Sequence, residues 1–267
     1  MNFKNYESLD LSFSPYINIF TGSNGSGKTN LLDAIYYLSL TKSAFNSNDS
    51  LNIRHEQNFF SIQGNFVKES GNNLIQCDYT GKKVLKNNKR PYDKLSDHIG
   101  EFPVVLITPY DTDLIREGSE ERRRFVDTIL SQINHSYLNE LIHYNQALKQ
   151  RNSLLKQFNE KKQIDKTLIG IYDQKLLKSG KILYNFRKEF IAEFLPLFYK
   201  HYENLSEKKE NPGLEYVSQL HDTDFEAKFE KALEKDILLQ RTTKGVHKDD
   251  FHFSINNHPL KSFGSQG

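Results

Sequence analysis

Eight consecutive residues near the start of the chain have the types and the spacing that hold the phosphates of a nucleotide. They are Gly22, Ser23, Asn24, Gly25, Ser26, Gly27, Lys28 and Thr29. They fit the phosphate-loop pattern G-x-x-x-x-G-K-[ST] at every fixed position, in which Lys28 reaches the terminal phosphates and the Thr29 hydroxyl holds Mg²⁺. Glycines let the backbone fold around phosphate oxygens, and a following helix adds its positive N-terminal dipole. The sequence therefore predicts a site for a nucleotide and Mg²⁺.

The segments on either side of this loop have the periodicities of a strand before it and a helix after it, the two elements that a phosphate loop joins. Residues 16–20 alternate apolar and polar side chains, as a strand does, and apolar residues recur at helical spacing over 31–38. Residues 7–13 alternate as well, so we expect a strand before the one that leads into the loop. A hairpin over 59–79 and a strand over 104–107 are predicted to follow.

Beyond residue 113 the apolar period changes to threes and fours. Helical spacing runs over 137–158, is interrupted by the polar stretch 159–166, and resumes over 168–197. This predicts two long helices joined by a short turn, an antiparallel arm inserted in a globular body. Pro196 should kink or end the second helix.

We divide the chain into three parts on these periods, with an α/β fold. Residues 1–112 form a nucleotide-binding lobe with the phosphate loop, 113–205 the helical hairpin arm, and 206–267 the start of a second, incomplete lobe. In this last part, residues 214–220 and 251–255 read as strands with a helix between them.

Composition indicates a polar chain made in a reducing compartment. The 267 residues carry 36 Lys and Arg against 34 Asp and Glu, a net charge of +2, with one cysteine. Cys77 alone excludes an internal disulfide. The longest strongly apolar run, 104–107, is far too short to span a membrane, and no apolar signal core is present at the N-terminus. We therefore expect a cytoplasmic protein without a membrane segment.

Basic residues are concentrated in places that could contact a polyanion. The candidate DNA contacts are Arg122, Arg123, Arg124, Lys149, Arg151 and Lys156. Basic residues outnumber acidic ones over 149–188, a pattern equally typical of a solvated helical surface. Three consecutive arginines on a helix point in three directions, so we expect at least one to pair with Glu120, Glu121 or Asp127. Any contact would be to phosphates rather than to base edges.

Three classes of phosphate-loop protein can be compared. A GTPase carries Asn-Lys-x-Asp, and the nearest match, Asn88-Lys89-Arg90-Pro91, lacks the aspartate. A small kinase rarely inserts a long helical hairpin. In an ABC-type ATPase a distant Ser-x-Gly segment of one subunit covers the nucleotide bound by another, and Ser265-Gln266-Gly267 fits that layout.

The chain resembles the RecF family of bacterial DNA replication and repair ATPases, which belongs with the heads of structural-maintenance-of-chromosomes (SMC) proteins. The resemblance runs through nearly the whole chain. The segments that carry it are Asn2-Phe3-Lys4-Asn5-Tyr6, residues 22–35, residues 109–127, Gly245-Val246-His247-Lys248-Asp249-Asp250 and Ser265-Gln266-Gly267. Asp33 stands where glutamate is usual, and Val246 and Lys248 depart from the pattern Gly-Pro-His-Arg-Asp-Asp.

The resemblance implies an ATP-gated clamp with a P-loop NTPase fold of the ABC and SMC-head type. Two subunits would sandwich two ATP molecules, each held by Lys28 and Thr29 of one chain and closed by Ser265, Gln266 and Gly267 of the other. This ATP-dependent homodimer would clamp DNA during recombinational gap repair and replication. RecR, and RecO with it, are the implied partners.

The resemblance also implies that parts of the family's pattern lie outside this sequence. A strand would precede Asn2, and the acidic Mg²⁺-binding strand, the catalytic glutamate and the switch histidine would lie beyond Gly267. We therefore assign no catalytic residue and expect a truncated product that is inactive alone in ATP hydrolysis. The alternative is a non-catalytic ATP-binding scaffold of the SMC kind.

Overall fold

The computed structural model describes residues 1–207 and 210–263. The chain divides into two units, Met1–Leu106 and Ile107–Gly267, each with its own internal contacts. The sequence interpretation has three parts, whereas here the long helices and the strands that follow them share one unit. In the described part of the chain, no helix has the length and apolar character needed to cross a membrane.

The first unit consists of one helix packed on an antiparallel sheet. Its elements are α1 (Lys28–Leu40), β1 (Phe60–Lys68), β2 (Gly71–Tyr79), β3 (Lys83–Asn87) and β4 (Arg90–Pro91), with short 3-10 turns at Asp49–Asn52 and Leu95–His98. The strands lie in the order β1-β2-β3-β4, and Phe60 pairs with Tyr79. Tyr37 of α1 is fully buried against Phe60, and Phe3 joins them edge to face. The predicted hairpin and the helix after the phosphate loop are confirmed.

Three predicted strands of this region do not form. Residues 7–13, 16–20 and 104–107 have no strand assignment in the structure. Ile17 is 80% exposed and Val105 is 85% exposed. Alternation identifies the two faces of a strand, but a strand also needs a neighbour that pairs with its N–H and C=O groups. The sheet of the first unit uses residues 60–91 and offers these segments no ladder, so the strand prediction is wrong there.

The second unit combines helices with a three-stranded antiparallel sheet. Its helices are α2 (Asp113–Arg116), α3 (Ser119–Ile133), α4 (His135–Lys161), α5 (Lys166–Leu205), α6 (Phe225–Lys231), α7 (Leu233–Leu239) and α8 (Leu260–Phe263). Its strands are β5 (Pro212–Val217), β6 (Asp250–Ile255) and β7 (His258–Pro259), in the order β5-β6-β7. Short 3-10 turns lie at Pro109–Thr112, Gln219–His221 and Val246–Lys248.

The two long helices α4 and α5 have caps that explain where they begin. Asn134 accepts a hydrogen bond from the Tyr137 amide at 3.0 Å, and Asp165 accepts one from the Leu168 amide at 2.9 Å. Lys162 adopts a left-handed conformation at the end of α4. The predicted turn within 159–166 is therefore confirmed. Pro196 lies inside α5, which continues to Leu205.

The long helices pack on the sheet of their own unit. Tyr144 of α4 and Leu183 of α5 are buried in one apolar cluster with Tyr216 of β5 and Phe251 of β6. Tyr216 and Phe251 stack with ring centroids 5.1 Å apart. Apolar burial of this kind provides most of the stability of an amphipathic helix.

Arg151 of α4 is fully buried among side chains from four other segments. Its Nε donates to Asp173 of α5 at 2.5 Å, and its Nη1 donates to Asp236 of α7 at 2.6 Å and to Thr242 at 2.9 Å. The guanidinium also lies over the Phe229 ring, 4.9 Å from its centroid. The predicted DNA contact of Arg151 is wrong, because its charge is neutralised in the interior.

Replacing Arg151 with Met should strongly destabilise the chain. The change leaves the fully buried Asp236 carboxylate without its cation, and breaking one side of a buried ion pair costs about 3–5 kcal/mol. Urea denaturation measures the free energy of unfolding. Lys149→Met, on the exposed face of the same helix, is the matched control and should change that free energy by less than about 0.5 kcal/mol. Equal losses in the two variants would contradict this assignment.

Candidate nucleotide and nucleic-acid sites

The phosphate loop joins the extended segment before it to the N-terminus of α1. Gly27 is the N-terminal cap of the helix, with a left-handed φ of 101°. A Cβ at this position would meet Asn5 Nδ2 at 2.7 Å and Tyr6 Oη at 2.8 Å. A larger residue would therefore be strained by this backbone conformation and would have to displace the Asn5 and Tyr6 side chains. Glycine is the residue that fits the curvature of the loop here.

Lys28 folds back over the loop that precedes it. Its Nζ donates hydrogen bonds to the carbonyl oxygens of Gly22 and Ser23, both at 2.8 Å. The ammonium group is thus held inside the curl of residues 22–27. Thr29 lies on the exposed side of the first helical turn.

The surroundings of this helix N-terminus fit a phosphate group. Among the residues that the structure describes, no side chain caps α1, and its first turn contains no acidic residue. Its leading amide groups, the helix dipole and the Lys28 ammonium together favour an anion at the exposed loop. A triphosphate with its Mg²⁺, held through Thr29, is compatible with this donor set.

The N-terminal segment holds the loop and α1 in place, which the sequence interpretation did not assign to the site. Asn5 accepts a hydrogen bond from Asn30 Nδ2 at 2.8 Å. Lys4 pairs with Asp33 at 2.6 Å, and the Asp33 carboxylate is fully buried. Asp33 also accepts from the Ala44 amide at 2.7 Å. The sequence signal for this role was the Asn-Phe-Lys-Asn-Tyr run at the start of the chain. In the structure its first two residues, Asn2 and Phe3, are buried.

Ser265, Gln266 and Gly267 lie outside the described residues. Their assignment to the nucleotide site stays a prediction.

The three consecutive arginines of α3 have three different environments. Arg122 is buried, and its Nε and Nη2 donate to the two oxygens of Asp250 at 2.7 and 3.1 Å. Its Nη1 donates to main-chain carbonyls, so its predicted DNA contact is wrong. Arg123 is half-buried and donates to the Asp249 carbonyl at 2.6 Å. Arg124 is exposed and pairs with Glu121, which confirms the expected intramolecular ion pair.

The candidates on α4 separate by helix face. Lys149 and Lys156 are exposed, whereas Arg151 faces the core. Its place at an apolar seam position was the signal that it is buried, because a charged residue on that face must find partners inside.

The segment 245–250 forms a tight loop against α4. Gly245 has a φ of 129°, and a Cβ there would meet Tyr144 Oη at 2.5 Å. His247 Nδ1 lies 2.7 Å from the Tyr144 hydroxyl, and its Nε2 lies 3.0 Å from the Thr242 carbonyl. Because a carbonyl can only accept, Nε2 carries the proton and Nδ1 accepts from Tyr144. Burial lowers the pKa of His247 to about 4.

This neutral histidine should make stability depend on pH. The unfolded chain takes up a proton near pH 6.5, while folded His247 stays neutral down to about pH 4. The contribution of His247 to the free energy of unfolding is therefore complete above pH 6.5. It is lost as the pH falls from about 6.5 to about 4, by on the order of 3 kcal/mol. We expect the difference in free energy of unfolding between the chain and His247→Gln to shrink accordingly in urea titrations. A difference that does not vary with pH would refute the buried neutral state.

The comparisons with known proteins agree with this geometry. A family model described as the RecF/RecN/SMC N terminal domain matches residues 1–90. Together with the phosphate loop, this defines the class as P-loop ATPases of the SMC-head kind. The "DNA replication and repair protein RecF" of Cytophaga hutchinsonii is 51% identical over 268 residues, covering 100% of this chain and 71% of the relative. The protein of the same name from Flavobacterium johnsoniae is 44% identical, covering 100% and 75%.

Solved structures give the same result. The recombination mediator protein RecF with ATP, of the RecFOR pathway, matches with a TM-score of 0.92 and 29% identity over 100% of this chain and 74% of that one. The chain belongs to the RecF family. The predicted fold, a P-loop ATPase of the ABC and SMC-head type that is incomplete relative to its relatives, is confirmed.

Proposed function

We propose that this chain binds ATP and DNA in a coupled way and acts in DNA replication and recombinational repair. The observation that carries the proposal is the phosphate loop on α1, with Lys28 inside its curl, in a chain similar along its whole length to proteins named for replication and repair. We propose the cytoplasm as its place of action, because the relatives it resembles are named for DNA replication and repair.

The phosphates of ATP occupy the curl of residues 22–27. Lys28 exchanges its two loop carbonyls for the terminal phosphate oxygens, which are stronger, charged acceptors. Thr29 would hold Mg²⁺ through its exposed hydroxyl, and the cation would neutralise phosphate charge. ATP therefore replaces contacts that the loop makes with itself.

A second copy of the chain completes the site. Ser265, Gln266 and Gly267 of that copy cover the nucleotide, so that ATP occupancy drives dimerisation. DNA is bound through phosphates by exposed basic residues, including Lys149 and Lys156 of α4 and Arg124 of α3. A protein of the RecR and RecO kind is the partner, because the similar solved structure is described as part of the RecFOR pathway.

Reversing the charge of Lys28 should abolish ATP binding. A hydrogen bond to a charged group contributes about 1.5–3 kcal/mol, and Lys28→Glu replaces it with repulsion, so we expect an affinity loss of about a hundredfold or more. A fluorescent ATP analogue measures the dissociation constant. Lys94→Glu, an exposed lysine of the same unit, is the control and should bind as the unchanged chain does. Retained affinity in Lys28→Glu would sink the nucleotide assignment.

Removing the Thr29 hydroxyl should remove the response to Mg²⁺. In the unchanged chain, chelating Mg²⁺ with EDTA should weaken ATP binding, because the cation neutralises phosphate charge and binds Thr29. Thr29→Ala should bind ATP weakly with or without Mg²⁺, whereas Thr29→Ser should keep the response. If Thr29→Ala responds to Mg²⁺ as strongly as Thr29→Ser, the metal is held elsewhere.

A further inference from the structure

Three basic side chains from separate segments meet on one face of the second unit. Arg123 of α3 donates to the Asp249 carbonyl at 2.6 Å, which holds its guanidinium at the main chain that follows Lys248. The His247 ring lies 3.0 Å from the Thr242 carbonyl, which draws residues 241 and 242 towards 247 and 248. These two contacts assemble Arg123, Arg241 and Lys248. Arg241 and Lys248 are exposed, and Arg123 is half-buried.

The carboxylates nearest to these cations are turned inward and already paired. Asp249 Oδ2 accepts from Arg187 at 2.8 Å and from Tyr216 at 2.5 Å. Asp250 pairs with Arg122 through both oxygens. A third carboxylate, that of Asp236, is fully buried and bonded to another arginine.

Carboxylates therefore act on these three cations only over a distance, Asp127, Asp249 and Asp250 on Arg123 and Asp236 on Lys248. Among the residues that the structure describes, Arg123, Arg241 and Lys248 form no ion pair with a carboxylate. Burial lowers the pKa of Lys248, and the charges of Arg241 and Arg123 lower it further. Burial likewise lowers the pKa of Arg123, and so does the charge of Arg187, although the charges of Asp127, Asp249 and Asp250 offset part of this. The chain keeps these like charges together at a cost, and a bound anion would relieve it.

We propose that Arg123, Arg241 and Lys248 form a binding site for the phosphodiester backbone of duplex DNA, which deepens the proposed function and rests on it. A backbone fits because its phosphates present several negative charges in a row to a group of exposed cations. Arg123 has further N–H groups beyond the one that it gives to Asp249, and the charges of Arg241 and Lys248 lie at the surface. Such contacts position the protein on DNA without reading its sequence.

The test is the salt dependence of binding to a fluorescein-labelled duplex oligonucleotide, with ATP and Mg²⁺ present. Anisotropy titrations over a series of salt concentrations compare the unchanged chain with the triple variant Arg123→Gln, Arg241→Gln, Lys248→Gln. Each lost phosphate contact should reduce the slope of log affinity against log salt by about 0.9. We expect the slope of the triple variant to fall by about two to three times this amount, and its ATP affinity to stay unchanged.

A matched variant separates a site from a general effect of charge. Lys82→Gln, Lys89→Gln, Arg90→Gln removes the same net charge from exposed positions of the first unit and should leave the slope unchanged. An equal fall in this control would overturn the site, because net charge alone would then account for the effect.

A double variant guards against a local folding defect. Arg241→Gln, Lys248→Gln keeps the Arg123 bond to the Asp249 carbonyl. Its slope of log affinity against log salt should fall by about two times 0.9. Unchanged slopes in both the triple and the double variant, in a chain that binds DNA, would overturn this site alone. If the unchanged chain does not bind the duplex at low salt with ATP, the proposed function fails, and the site fails with it.

Discussion

Burying two arginine charges is the constraint around which the second unit is built. Arg151 and Arg187 are almost completely removed from water, and a buried guanidinium is tolerated only when carboxylates and hydrogen bonds replace its hydration. Arg187 meets this need with Asp127 of α3 at 2.9 Å and Asp249 at 2.8 Å. Burial lowers the pKa of Arg187, but the partners around it, led by Tyr137 and Asp127, raise it well above its usual value. Helices and loops far apart in sequence are thereby held in one arrangement.

The first unit meets a different constraint, that of an anion-binding loop that must hold its shape. Glycine at position 27 gives the left-handed turn, and Asn5 and Tyr6 close the space where a side chain would otherwise stand. The buried pair of Lys4 and Asp33 ties the start of the chain to α1. The loop is therefore positioned by residues on both sides of it in the sequence, and its lysine is already inside the curl that phosphates would fill.

Local patterns predicted what depends on local structure. The phosphate loop, the helix after it, the hairpin and the two long helices were accessible because spacing and turn residues determine them. The strands expected at 7–13 and 16–20 do not form. A strand needs a neighbouring strand to pair with, and the sequence of the segment itself does not show whether one is present. Two of the DNA candidates, Arg122 and Arg151, failed for a related reason. In the sequence, Arg122 and Arg151 look like surface arginines. Their partners Asp250 and Asp236 are far away along the chain, and only the tertiary structure brings each pair together.

The inward pairing of acidic residues also explains how a chain with nearly balanced charge can carry a face suited to DNA. We propose that ATP and DNA bind this chain in a coupled way, and coupling between two ligands must be reciprocal. The direct measurement is the affinity for a fluorescent ATP analogue with and without saturating duplex DNA, beside the affinity for duplex with and without ATP. We predict that each ligand raises the affinity of the chain for the other ligand by the same factor. An ATP affinity that is unchanged by saturating duplex would contradict it.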